Sequence, residues 1–330
     1  MSSPRSRPTP RLHATLRLAW ITLALLATLG CSGGGFASRA FSGNIAALVG
    51  TPRPVLHKVR APYRPEARLA VLWVGHATVL VQMDDRLILT DPVFTSTVGI
   101  LSKRLVERGL DPEDLPPVDA VLVSHMHFDH LSLGSLSMIE PKVRALLVPK
   151  GGLVYVPDFA FPAYELPTWT TLQRGDLRIT AVPVSHPGFR YGVDEAWMRS
   201  SFTGYVVEYH GLTVYFGGDT GYRSDLIAET RARFPSIDLA LIPIAPVEPH
   251  ARMAERHVNP AEAVDLFVGL GARQMMAIHF DTFVNSLDAF GAAPRELRRV
   301  MAERGLSEAQ VNILTAGEQR VLIPAASTPR

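Results

Sequence analysis

Four residues able to hold a metal ion fall within six positions of this chain: His125, His127, Asp129 and His130, in the order His-x-His-x-Asp-His. Neutral imidazole and carboxylate are good ligands for zinc and related divalent ions. Side chains this close along a backbone point in different directions, so one four-coordinate ion cannot use them all. The spacing predicts two ions, with His125 and His127 on one and Asp129 and His130 on the other. Two ions about 3.5–4 Å apart, with a hydroxide between them, form a nucleophile at neutral pH. Metal-assisted hydrolysis is therefore the chemistry to expect.

Such a cluster needs elements that present it. The apolar run Val118 to Val123 reads as a buried strand, which places the four residues just past a strand end. Further ligand types occupy equivalent positions. His186 follows the strand-like run Leu177 to Val184. Asp219 follows Tyr215-Phe216-Gly217-Gly218, whose glycines permit close backbone approach. His279 ends Met275-Met276-Ala277-Ile278. In α/β folds, functional groups sit just past the carboxyl ends of strands.

The remaining pattern supplies a scaffold. Leu69 to Val74, Thr78 to Met83 and Arg86 to Thr90 read as meander strands joined by tight turns, and His76 lines the site from the first turn. Val143 to Val148 is apolar and central. Phe202 to Tyr209 and Leu212 to Phe216 flank the hairpin signal His210-Gly211, and Ile237 to Ile244 and Gln274 to Ile278 follow. Helical patterns cover Arg223 to Arg233, Pro260 to Leu270 and Pro294 to Arg304, the second with Asn259 as N-cap and Pro260 at its first position. Strands in two batches, each followed by helices, predict an α/β fold of two sheets packed face to face with helices outside. No repeat is strong enough to name, although a duplicated β-rich half fits the pattern.

The chain has 330 residues, 47% hydrophobic and 19% charged, with a net charge of +2. That is a globular composition with no basic footprint for nucleic acid. The N-terminus differs. Arg5, Arg7, Arg11 and Arg17 precede an apolar stretch from Leu18 to Leu29 that suits a signal-peptide core. It ends at Gly30-Cys31-Ser32 and resembles a bacterial lipoprotein signal, which implies lipidation of Cys31. An uncleaved anchor and ordinary export are the rival readings. Cys31 is the single cysteine, so no intramolecular disulfide forms. The expected organisation is a signal peptide over 1–31, a flexible tether over 32–65 and a hydrolase domain over 66–330.

His125-x-His127-x-Asp129-His130, then His186, Asp219 and His279 in that order, resembles the metallo-β-lactamase superfamily over about residues 69–323. The resemblance implies an αββα sandwich of two mixed β-sheets with outer helices and the metals at one edge. It implies that His125, His127 and His186 hold one zinc, that Asp129, His130 and His279 hold a second, and that Asp219 bridges them. These ligands also accept iron or manganese. Trp73-Val74-Gly75-His76-Ala77-Thr78, Thr90-Asp91-Pro92-Val93-Phe94 and Gly217-Gly218-Asp219-Thr220-Gly221-Tyr222 are similar to the N-acylphosphatidylethanolamine-hydrolysing phospholipase D branch. So are His257-Val258-Asn259-Pro260 and Ile278-His279-Phe280-x-Thr282-Phe283. That branch usually has a tryptophan close after its third histidine, where this chain has Pro187-Gly188-Phe189-Arg190, a departure that bears on the shape of the substrate pocket.

The implied activity is a phospholipase D-type cleavage of N-acylphosphatidylethanolamine-like lipids, with Asp129, Asp219 and His257 as catalytic residues and His76 and His257 against the substrate. Phe94, Trp169, Phe189, Tyr191, Trp197 and Phe202 are candidates for a lipid-facing mouth. The implied partners are a phospholipid and, through the N-terminal lipid, a membrane of the cell envelope, with the enzyme facing the periplasm. A lactonase or a hydrolase of a small phosphorylated metabolite is the alternative on the same metal site. Nuclease branches share the motif, but weak basicity and the export signal oppose that reading. The oxygen-reducing di-iron branch carries glutamate where His127 stands. A protein that only binds would have lost ligands, and all seven are present.

Overall fold

The computed structural model describes residues 34–56, 58–99 and 102–325. The signal segment and Cys31 lie outside them. In chain order the first half forms β1 (Ala67–Gly75), β2 (Thr78–Met83), β3 (Arg86–Thr90), β4 (Thr97–Val98), β5 (Ser102–Lys103), β6 (Ala120–Leu122), β7 (Leu146–Pro149) and β8 (Ala163–Leu166). The second half forms β9 (Thr171–Arg174), β10 (Leu177–Val182), β11 (Gly204–Tyr209), β12 (Leu212–Phe216), β13 (Leu239–Pro243), β14 (Gln274–Ile278) and β15 (Val311–Asn312), followed by β16 (Gln319–Pro324).

Two seven-stranded sheets result, ordered β16-β1-β2-β3-β6-β7-β8 and β15-β14-β13-β12-β11-β10-β9. Each begins as an antiparallel meander and continues in parallel: β3, β6, β7 and β8 in one, β12, β13, β14 and β15 in the other. The duplicated β-rich half therefore exists as topology. β16 breaks the symmetry by returning from the second half to pair antiparallel with β1.

Parallel strands are covered on both faces, which explains why their sequences are continuously apolar. Along and beside β6 and β7, Ala120, Leu122, Ala145 and Leu147 face the core between the sheets. Val121, Val123, Leu146 and Val148 join a second core on the outer face, closed by Leu136 and Ile139 of the helix Leu133–Ile139. The second sheet is covered by the helices Ser224–Arg233, Pro260–Leu270 and Ala292–Arg304, which bury Ile227, Phe267 and Leu297 against it. Asn259 caps the middle helix in a capping box with Glu262, so this end has the expected chemistry. The architecture is the expected α/β sandwich of two mixed sheets, more thickly covered on the second.

The segment expected to be a flexible tether is structured over its described part. Gly34–Val49 is a helix. Its last carbonyls are satisfied from outside, because Lys103 Nζ donates to the carbonyls of Leu48 and Gly50 at 3.2 and 2.7 Å. Beyond it the chain runs along the body: the Arg53 amide donates to the Leu105 carbonyl at 2.8 Å and Lys58 pairs with Asp111 at 3.2 Å. Glycine-rich composition suggested mobility; long-range hydrogen bonds override it. Among the described residues no helix is long and apolar enough to cross a membrane.

Gly109 sits where β1 meets the loop before β16. A Cβ there would lie 2.1 Å from the Gly317 amide nitrogen and 2.5 Å from the Trp73 carbonyl oxygen, two atoms that hydrogen-bond each other. Backbone cannot yield as a side chain can. Gly109→Ala is therefore expected to cost about 2 kcal/mol or more, measured by urea unfolding of the metal-free protein; an unchanged midpoint would show that this contact is slack.

Candidate metal centre

Six strand ends converge on one edge of the sandwich. His76 follows β1, Asp91 follows β3, and His125 to His130 follow β6. His186 lies beyond β10, Asp219 beyond β12 and His279 beyond β14. The sheets are stitched together at this edge: the Thr203 amide donates to the Ser124 carbonyl at 2.8 Å. Gly218, at φ +57°, allows the approach, since a Cβ would lie 2.3 Å from Ser124 Cβ.

The ligand atoms fall into overlapping groups. His125, His127 and His186 form one; His76, Asp129, His130 and His279 form another; in each, the atoms lie within 4.8 Å of one another. His125 Nε2 and His186 Nε2 are 2.8 and 3.3 Å from His127 Nδ1. Asp219 connects the groups. Its Oδ2 is 3.2 Å from His279 Nε2, 3.3 Å from His130 Nε2, 3.5 Å from His257 Nδ1 and 4.0 Å from His186 Nε2.

Outer hydrogen bonds aim the rings. His186 Nδ1 is 2.9 Å from the Arg256 carbonyl. A carbonyl only accepts, so Nδ1 holds the proton and Nε2 presents a lone pair inward. Ser124 Oγ engages His125 Nδ1 at 3.0 Å, and Asp91 Oδ2 engages His130 Nδ1 at 2.6 Å. Ser124 is itself held to Asp91 through its amide and hydroxyl, at 2.7 and 2.6 Å. Arg190 NH1 donates to the carbonyls of Met126 and Leu131, at 3.0 and 2.8 Å, and so braces both ends of the ligand loop.

The protonation states suit a cation. Burial, then neighbouring imidazoles, holds His125 far below the usual histidine range. Burial also puts His186 far below it and lowers His127, leaving neutral ligands. For Asp219 burial acts upward but is outweighed by His279, His130 and His257, so the group stays a carboxylate. Asp129 behaves likewise, with His130 and the hydrogen bond from His76 prevailing over burial. His130 is the reverse case: burial acts downward, yet Asp219, Asp129 and Asp91 hold it well above the usual range. The carboxylates demand positive charge among them, from an imidazolium or from divalent ions that leave His130 Nε2 free to ligate. His130 Nε2, His279 Nε2, His257 Nδ1 and Asp219 Oδ1 are buried without a hydrogen-bond partner. Orphaned polar atoms of this kind are rare in folded proteins, and here they share one volume, so the donor set fits metal.

All seven residues expected as ligands are brought together, and His257 stands beside them. His257 is fixed by the turn before Pro260–Leu270, where the Val258 amide donates to the Thr220 carbonyl at 2.8 Å. Its pKa is lowered by burial to about 4. His76, expected to line the site from its turn, lies inside it: it is only 1% exposed, it groups with Asp129, His130 and His279, and its Nε2 hydrogen-bonds Asp129 at 3.0 Å. The aromatic set also divides. Tyr191 and Trp197 are exposed, and Phe189 packs on His127 at 5.1 Å. Phe94 is core, Phe202 bridges His125 by backbone, and Trp169 lies under Arg233. The sequence reading assigns no role to Asp91, Ser124 or Arg190, although all three fall inside or beside the segments it singles out.

The Asp91 carboxylate fixes His130 through Nδ1. Asp91→Asn keeps the shape but weakens this hold, and losing a hydrogen bond that aims a metal-binding imidazole typically costs about 10- to 100-fold in metal affinity. Competition with a chromogenic zinc chelator is expected to show that loss with the fold intact; unchanged affinity would mean that Asp91 does not orient the ligand.

Comparison with known proteins agrees with the geometry. The beta-lactamase superfamily domain matches residues 86–280. The chain is 30% identical over 268 residues to "N-acyl-phosphatidylethanolamine-hydrolyzing phospholipase D 1" of Caenorhabditis elegans, covering 76% of this chain and 74% of that protein. A mitochondrial protein of the same description from Saccharomyces cerevisiae is 33% identical over 246 residues, 71% of this chain, which spans only 52% of that longer protein. A "UPF0173 metal-dependent hydrolase" of Pyrococcus furiosus is 29% identical over 251 residues, 75% of this chain and 97% of that one. Among solved structures, an isothiocyanate hydrolase from Delia radicum gut bacteria superposes with a TM-score of 0.61 at 19% identity, covering 78% of this chain and 100% of that one, a likeness of fold. The chain belongs to the metallo-β-lactamase superfamily and is a metal-dependent hydrolase of that fold.

Proposed function

We propose that this protein is a binuclear zinc phosphodiesterase of the phospholipase D type that cleaves N-acylphosphatidylethanolamine-like lipids. One observation carries the binuclear reading: a single carboxylate oxygen, Asp219 Oδ2, lies within 3.2 to 4.0 Å of imidazoles from both ligand groups. The substrate class rests on the named activity of the nematode and yeast relatives and on the surroundings of the site. Phe128, inside the ligand loop, and Tyr191 are exposed and 5.7 Å apart. With Phe41 and Leu133 they line an open cavity of about 790 Å³, a volume suited to an apolar chain.

When bound, the two ions supply Lewis-acid polarisation of a phosphoryl oxygen and an activated water. Asp219 holds the two ligand groups in register. Asp129 completes the second group and is kept ionised by His130 and His76. His257, with a pKa of about 4, is neutral at pH 7. It therefore serves the leaving oxygen or the phosphoryl group as a hydrogen-bond partner and not as a standing acid. Export, and anchoring through a lipid on Cys31, belong to the same proposal: tethering at a bilayer raises the local concentration of a lipid substrate without new contacts.

Zinc-loaded protein incubated with N-acylphosphatidylethanolamine in mixed micelles is expected to release phosphatidic acid and N-acylethanolamine, identified by mass spectrometry, while Asp219→Asn releases neither. Turnover of a generic phosphodiester without these products would retain the metal chemistry and move the substrate to the small-metabolite class. His257→Ala, which removes a hydrogen-bond partner of the developing charge, is expected to lower kcat by about 100-fold or more with zinc content unchanged; a rise in KM alone would limit His257 to binding. In a bacterial host, a fatty-acid analogue should label the full chain and spare Cys31→Ala; label on that variant would rule out lipidation at Cys31.

A further inference from the structure

We propose a second ligand site, behind the metal centre, for a small amphiphile with one anionic head and an apolar tail. It goes beyond the proposed hydrolysis and does not depend on the identity of the substrate. The site is a cavity of about 680 Å³ lined by none of the metal-site residues. Its apolar wall is Trp73 stacked on Phe280, with ring centroids 4.4 Å apart, and Phe290. That volume and an aromatic wall are typical of small-molecule sites.

Charge selects the head. Arg53, Arg295 and Arg298 line the cavity, and none of them forms an ion pair among the described residues. Arg53 lies over the Phe290 ring at 4.2 Å. Two carboxylates also line the cavity; Glu318 has its own arginine, and Asp281, which lies within the field of Arg295 and Arg53, leaves three arginines facing one carboxylate. Asp281 Oδ1 accepts from the Gly291 amide at 2.7 Å, and Glu318 pairs with Arg320 at 2.5 Å. The surplus is cationic, and guanidinium groups are suited to carboxylate and phosphate. Arg53 comes from the segment expected to be a tether, so that segment builds one side of the site.

The wall is also the back of the metal centre. Trp73 Nε1 donates to the His76 carbonyl at 3.0 Å, and the His76 amide donates to Thr282 Oγ1 at 2.7 Å. The His279 amide donates to the same His76 carbonyl at 2.9 Å. Trp73 and Phe280 are almost fully buried, so an occupant resting on their exposed edges lies against the frame that holds His76 and His279.

Calorimetric titration of the zinc-loaded full chain with decanoate, below its micelle concentration, tests the site. Saturable 1:1 binding is expected, at least tenfold tighter than decanol or decyltrimethylammonium. Decyl phosphate in place of decanoate tells a phosphate head from a carboxylate. The charge reversals Arg295→Glu and Arg298→Glu, both on an exposed helix face, should together weaken decanoate at least tenfold with zinc content unchanged. Phe290→Ala should weaken it without altering the preference for the anion. Decanol binding as tightly as decanoate, or charge-reversed protein binding as the native protein does, would overturn the proposal.

Discussion

The structure depends on one buried negative charge. Asp219 is only 3% exposed, and a carboxylate removed from water is costly unless positive groups surround it. Four imidazoles approach its Oδ2, and they come from different strands and loops. No pair of adjacent strands could supply them. The two sheets must pack so that their strand ends face one point, and Gly218 must lack a side chain so that β12 can end against Ser124.

A second tier of hydrogen bonds converts that convergence into a defined site. Asp91 holds His130 and Ser124, Ser124 holds His125, and the Arg256 carbonyl holds His186. Each contact uses the ring nitrogen that faces away from the centre. Arg190 performs the same service for backbone, gripping carbonyls on both sides of the ligand loop. Its guanidinium also lies 4.3 Å over Phe128, so one side chain links the ligand loop to the aromatic rim.

Much of this was legible in the sequence, because each ligand interrupts an apolar run at its end. His125 after Val123, Asp219 after Gly218 and His279 after Ile278 are abrupt changes from buried to polar, and strand ends produce such changes. β2, β3, β12 and β14 keep the expected limits, since their apolar runs stop at turns. What stayed hidden depends on long-range contact. Asp91 before Pro92 reads as a turn, and only its bond to His130, 39 residues away, reveals its role. His76 is legible as a site residue from its turn, but its bond to Asp129, 53 residues away, is not. The helix Gly34–Val49 has a composition that suggests flexibility, and its end is held by Lys103 from beyond β4. β15, only two residues long, and β16, an edge strand with no fully buried residue, carry too little pattern to stand out.

The return of β16 to the edge of β1 has a consequence for the order of biogenesis. A nascent chain that has emerged as far as β8 carries His125, His127, Asp129 and His130, but lacks His186, Asp219 and His279. Its first sheet also still has β1 as an open edge. Neither ion group can close until the second half has emerged, and the sandwich is not sealed until β16 arrives. Assembly of either ligand group is thus a late event, because each needs residues from both halves of the chain. Ligands of this kind accept several divalent ions according to supply, so a site that closes last is open to whichever ion is at hand when the second half folds.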